Sequence, residues 1–366
     1  MAIMGEERFM EEGFTENTKT AEGFFAWKIT EAANREPRSR NRQDGFDLDE
    51  IDFRRLFRLS KRAAHVLCEE LRPYLTPFLE RLNALSVETK VLCALHFFGS
   101  GSYQMPVGNQ PEIGLPQSST SRCIQQVINA MQEPEVMQRW IQFPCDSASA
   151  QDIKEGFFES YGFPGTLGAI DCTHVAIVAP SLNESAFVNR KGYHSINVQL
   201  VCSSEMEILN VNAKYPGSTH DAFIWKNSTL RDALSCNRIP RTNSWLIGDS
   251  GYPLEPWLMV PYAESEAASD SSKATFNVRH QKARAVIEQC NGLLKSRFRC
   301  LHRHRALHYS PSVAGKIINS CAILHNICLR EGVELEDPPE IDSEMFDTHS
   351  QADQEETRAG GARVEH

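Results

Sequence analysis

Near Gly165 this chain changes texture: long stretches with helical periodicity give way to short apolar runs, rich in β-branched residues and separated by turn signals. Before that point RRLFRLSKRAAHVLCEEL, SVETKVLCALHFFGSG and QSSTSRCIQQVINAMQ read as helices between about Asp52 and Met137. A connecting segment around PCDSASAQDIKEGFFESYG follows. Beyond it come the strand runs TLGAID with HVAIV, HSINVQLVCS and ILNVNAKY, then a helix over HDAFIWKNSTLRDAL. The strands SWLIGD and MVPY and a last helix over QKARAVIEQCNGLLKSRF complete the order. Short polar turns between neighbouring runs favour an antiparallel meander, and a strand after a helix favours a parallel crossover. The expected class is α/β, a mixed sheet flanked by helices and preceded by an all-α region.

At 366 residues and 41% hydrophobic the chain can bury a full core, which excludes disorder as a whole-chain reading. Its net charge of −10 sits in one place. Residues 331–366 hold 12 acids and 2 bases, leaving 36 of each sign in the remainder. Four parts are expected: a polar arm or linker at 1–50, a helical region at 51–150, a sheet-bearing domain at 151–330 and an acidic, disordered tail at 331–366. Arg35, Arg38, Arg40 and Arg42 form a loose basic cluster in the arm. Eleven scattered cysteines without a CxxC pair read as a reduced, intracellular protein. Cys321 and His325, one turn apart, lack a second ligand pair and are discarded as a zinc site. The acidic N-terminus and the short longest apolar run argue against secretion and against a membrane.

Asp171 ends GTLGAID, Asp249 ends SWLIGD and Glu288 lies in the last helix, so two strand ends and one helix can bring three acids together. Gathered carboxylates raise one another's pKa unless something positive lies between them, and a divalent cation is the usual solution. Taken singly, Asp249 reads equally well as a turn residue and Glu288 as a solvated helical charge. Asp221, after the candidate caps Ser218 and Thr219, is either a fourth ligand or an acid complementing a helix dipole. His174 and His220 adjoin these acids as proton-transfer groups or structural hydrogen-bonding partners, and stay outside the primary site.

Glu288 is the only acid between residues 278 and 305, amid Arg279, Lys282, Arg284, Lys295, Arg297, Arg299, Arg303 and Arg305. Such a segment can track phosphates, and Arg190 and Lys191 in NRKGY can extend it; the alternative is a solvated basic face. Upstream, GLPQSS places Pro116 and a capping Ser118 or Ser119 before an amphipathic helix. A helix-turn-helix reading turns Gln117, Thr120, Arg122, Gln125 and Gln126 toward DNA, whereas an ordinary helical hairpin leaves them merely wet.

The element order resembles the ribonuclease H-like fold, with acids on the first strand, at the end of the fourth and on a later helix. GAIDCTHVAIVAP, VNRKGYHSINVQ, YPGSTHDAFIW, GDSGYP, VIEQCNGLLKSRFRCL and LHNIC resemble the motifs of PIF/Harbinger transposases and the nucleases derived from them, over roughly residues 50–330. Cys172 departs from the pattern, standing where many of those proteins have Gly.

The resemblance implies a DDE-type DNA endonuclease using two Mg²⁺ or Mn²⁺ ions, with Asp171 bridging both, Asp249 and Glu288 each holding one, and Asp221 as a fourth candidate. Hydrolysis at element ends, with joining of the freed 3′ hydroxyl to a target, is the full reaction implied. A domesticated DNA-binding or scaffold protein that no longer cuts is the alternative. DNA, a separate Myb-like DNA-binding protein and a second copy of the chain are the implied partners. Nuclear function with a cytoplasmic pool is expected, RFRCLHRHR being a weak localisation run.

Overall fold

The structure, a computed structural model, describes residues 43–76, 84–236 and 243–334. The polar arm up to residue 42, with its arginine cluster, and the acidic tail from residue 335 lie outside the described residues. Among the described residues seven α-helices come first: α1 (Glu50–Phe57), α2 (Lys61–Leu75), α3 (Val87–Ser100), α4 (Gln104–Asn109), α5 (Gln117–Ala130), α6 (Pro134–Trp140) and α7 (Ser147–Tyr161). Then follow β1 (Thr166–Ala176), α8 (Glu184–Phe187), β2 (Ser195–Cys202), β3 (Ile208–Pro216), α9 (Asp221–Lys226), α10 (Thr229–Ser235), β4 (Trp245–Ile247) and β5 (Leu258–Met259). The chain closes with α11 (Glu264–Ser269), α12 (Ser271–Arg297) and α13 (Pro311–Arg330).

The strands form one mixed sheet in the order β3-β2-β1-β4-β5. β1, β2 and β3 are an antiparallel meander; β4 joins parallel to β1 after the helical crossover, and β5 joins parallel to β4 after the link at residues 248–257. One continuous core covers the face of Val198 and Leu200, uniting them with Phe53, Leu95 and Ile124 of the first helices and with Ile287 and Ile323 of the last two. The opposite face buries Ile170, Val201 and Leu246 beneath Trp225 and Leu234. Among the described residues α13 is the one helix long and apolar enough to cross a membrane. Here Ile317, Cys321, Leu324 and Cys328 are buried, and the helix packs on β3, α5 and α6, so it serves as a core helix.

Several local expectations change. The connecting segment before β1 is mostly helix α7, started by Asp146, whose carboxylate accepts from the N–H groups of Ala148 and Ser149 at 2.9 Å. A boundary at residue 150 therefore passes through a helix. α5 begins one residue after Pro116, with no side-chain cap, so neither Ser118 nor Ser119 is the cap; the Pro116 carbonyl already accepts from Ser119 and Thr120. The helix expected after β3 breaks into α9 and α10, because Ser228 turns to cap Arg231 N at 3.1 Å. Gly101 ends α3 with φ of 62°, and a Cβ there would lie 2.9 Å from the Arg299 backbone, so only glycine lets α3 meet the turn after α12.

Candidate active site

Asp171 lies within β1 rather than at its end, and register explains how it meets Asp249. Ala169 of β1 pairs with Ile247 of β4, and each aspartate lies two residues further along its own strand path. Side chains two residues apart share a sheet face, and neighbouring strands run about 4.8 Å apart. The chain turns sharply after Asp249 because its Oδ1 accepts from Gly251 N at 3.0 Å.

Helix α12 crosses β1. It carries Glu288 and, one turn on, Asn291, whose Nδ2 lies 3.5 Å from Asp171 Oδ2. Asn291 is buried and its Oδ1 has no hydrogen-bonding partner in the structure. Lys295 Nζ, one turn further, donates to the carbonyl oxygen of His174 at 2.9 Å. Arg284, buried, forms an ion pair with Glu288. Asp221 opens α9, directly after His220, so Ser218 and Thr219 are not its caps. Its Oδ1 accepts from Asn197 Nδ2 at 2.9 Å, and the same amide donates to Thr219 O at 2.8 Å.

The electrostatics tie these acids together. Burial pushes Asp171 up to about 8; Asp249 and Asp221 add to the rise and Arg284 opposes it. Burial also raises Asp221, where the Asn197 hydrogen bond opposes the shift and Asp249 supports it. His174 falls to about 4 through burial and the nearby charges of Lys295, Arg190 and Lys191; it is a neutral imidazole whose Nδ1 lies 3.1 Å from Ser195 Oγ. Half-buried carboxylate oxygens gathered in one place suit a hard divalent cation. Among the described residues, no three His, Cys, Asp or Glu side chains form a ready-made metal-ligand group, and Glu288 is engaged by Arg284.

The basic residues divide. Arg190 and Lys191 are exposed, and Arg190 lies 3.4 Å from His220 Nδ1, beside the acids. Arg299 is exposed on the turn after α12. Arg297 is not a surface cation: it is buried, and donates to Val333 O at 2.8 Å and His325 O at 3.4 Å. Arg284 is likewise buried and directed at Glu288, and Lys295 is half-buried against β1. On α5, Arg122 is exposed but folds back on Ser118 O at 3.3 Å, and Gln125 bonds Asn129 at 3.2 Å. Thr120 cannot face DNA, since it points into the core. Asn291 and Asn197 escaped the sequence reading, although both stand in the quoted motifs, because an amide carries no charge to draw attention.

Residues 170–326 match the DDE superfamily endonuclease family, a span containing all four acids. The chain is 36% identical over 318 residues to the human protein named "Putative nuclease HARBI1", covering 83% of this chain and 88% of that one. It is 31% identical over 309 residues to the Arabidopsis thaliana protein named antagonist of like heterochromatin protein 1, covering 79% and 76%. A further Arabidopsis thaliana protein, named protein ALP1-like, is 28% identical over 316 residues, covering 81% and 75%. No solved structure matches.

Proposed function

Since the chain belongs to the Harbinger transposase-derived nucleases, we propose that it is a divalent-metal-dependent DNA endonuclease built on a ribonuclease H-like fold. The observation that carries this reading is that Asp171 and Asp249 each follow by two residues the paired Ala169 and Ile247 of neighbouring parallel strands, with α12, which carries Glu288, packed on β1. The 3-2-1-4-5 strand order, antiparallel then parallel, supports the fold assignment.

Asp171, Asp249 and Glu288 would hold Mg²⁺ or Mn²⁺, with Asp221 as a fourth ligand. The ions supply activation of water and stabilisation of the leaving 3′ oxygen. The chain's own residues prepare that chemistry. Asn291 orients Asp171, Asn197 orients Asp221, and the Gly251 amide holds Asp249 in its turn. Arg284 balances Glu288 until that carboxylate is needed as a ligand. Arg190 and Lys191 line the approach, where a phosphodiester backbone meets positive charge.

Nicking of supercoiled plasmid by the purified chain in Mg²⁺, Mn²⁺ or EDTA tests the reading. Cleavage that needs metal and falls at least about 10²-fold in Asp171→Ala, Asp249→Ala and Glu288→Ala, with DNA binding kept, is the expected result. The same loss in Asp221→Ala places that residue in the site. The Arg284–Glu288 pair favours a second reading, a DNA-binding scaffold that does not cut. DNA binding without cleavage in any metal is the outcome that selects it.

A further inference from the structure

After α12 the chain makes two short turns, Arg299–Leu301 and Arg303–Arg305, before Leu307 returns to the end of β1, its N–H donating to Ala176 O at 2.9 Å. Two cavities flank this loop, and His304 and Ala306 line both. The first, of about 360 Å³, lies within the roughly 300–1,000 Å³ of small-molecule pockets and is walled by Tyr103, Gln104, Gln117, Arg305 and His308. The second, of about 700 Å³, begins at Ala176, five residues or roughly 17 Å along β1 from Asp171, and is walled by Tyr193, His194 and Arg303. Among the described residues no carboxylate lines either cavity.

The first cavity is built of rings backed by fixed partners. Tyr103 is 64% exposed, and its ring meets His308 edge-on with centres 5.1 Å apart. Behind them Tyr309 is held by Gln104 Nε2 at 2.9 Å and by the edge of Phe97, 5.7 Å between centres. In the second cavity the Arg303 guanidinium lies 4.7 Å from the centre of the Tyr193 ring. Exposed rings, an amide and the Arg305 guanidinium, in a cavity that no carboxylate of the described residues lines, are the chemistry that takes a nucleobase by its face and its phosphate by charge. A paired base inside a duplex offers no free face, so the base must be unpaired.

We propose that the Tyr103–His308 cavity holds one unpaired nucleobase, with its phosphate at Arg305, on a strand that reaches the carboxylates past Arg303 and the end of β1. This rests on the nuclease reading. The test measures binding of the full chain in EDTA to a labelled blunt duplex, to the same duplex with 3′ or 5′ single-stranded overhangs, and to abasic versions of those overhangs. One overhang is expected to bind about tenfold more tightly than the blunt end. That advantage is lost when the overhang is abasic and in Tyr103→Ala, is retained in Tyr103→Phe, and is reduced in Arg305→Ala.

Tyr103-dependent binding of free dAMP with no overhang preference supports the same pocket and makes a free nucleotide its source. Equal binding of blunt and overhanging DNA with no dAMP binding overturns the proposal, as does equal weakening of all DNAs by Tyr103→Ala. Metal-dependent plasmid nicking, measured in parallel, separates the two readings. Nicking without overhang or dAMP selectivity removes the pocket alone, and absence of any DNA or dAMP binding removes both.

Discussion

Lys295 Nζ donates to the carbonyl of His174 at 2.9 Å, fastening the helix that carries Glu288 to the strand that carries Asp171. The two acids belong to segments 117 positions apart, and their juxtaposition depends on how α12 is seated over β1. Lys295 is thus a positioning residue, and Lys295→Met is expected to lower stability by about 1–2 kcal/mol, the loss of a partly solvated charged hydrogen bond. Thermal melts check this, and nicking by Lys295→Met should fall while its metal requirement remains.

Arg297 and Arg190 should separate stability from binding. Arg297→Ala removes the donor to the buried Val333 carbonyl and leaves a cavity, and is expected to cost about 2–4 kcal/mol, with DNA affinity of the folded fraction unchanged. Arg190→Ala is expected to change stability by less than about 0.5 kcal/mol. It should weaken DNA binding across sequences and reduce the salt slope by about 1. Urea titrations and fluorescence anisotropy at several salt concentrations give both numbers.

Asp171 gives the metal-free protein a pH dependence. Its folded pKa of about 8 lies above its unfolded value, so between those values the native state holds more protons. Its contribution to stability is present below about pH 4 and is lost as pH rises to about 8. In EDTA the urea midpoint should therefore fall from pH 5.5 to pH 8.5, and Asp171→Asn should flatten that fall. A flat wild-type midpoint would show that the acid is not held protonated.

Arg284 competes for Glu288. Arg284→Met is expected to melt lower than wild type in EDTA, since it leaves the half-buried Glu288 without its counter-charge. It should gain more melting temperature from added Mn²⁺, because that ligand is released. A Mn²⁺ shift no larger than that of wild type contradicts a role for Glu288 in metal binding.

The succession of strands and helices was legible because β-branched runs and turn signals are local properties of the chain; that Asp171 lies inside β1 rather than at its end was not. Nor was the fate of Arg284 and Arg297. Both lie in a basic stretch of α12, and counting charges gives sign without direction; the buried residues share one broad face of the helix, and Arg284 and Arg297 sit toward its two margins. α7 hid because its buried set is small, Ala150 and Phe157, amid polar residues whose period is weak. Ser118 and Ser119 looked like caps by residue type, but Pro116 at the cap position already satisfies the first turn through its carbonyl.

Asn326, in LHNIC, accepts from Ile208 N at 2.8 Å through Oδ1, and its Nδ2 donates to Ile208 O at 2.8 Å and Trp140 O at 2.7 Å. One buried amide thereby knots α13 to β3 and to the end of α6, and Asn326→Ala is expected to cost about 3–4 kcal/mol. The leading helices and the sheet should consequently melt in a single calorimetric transition. A fragment starting at residue 151 should aggregate, because it lacks Phe53, Leu95 and Ile124 and leaves the core they share with Val198, Leu200 and Ile323 open to water.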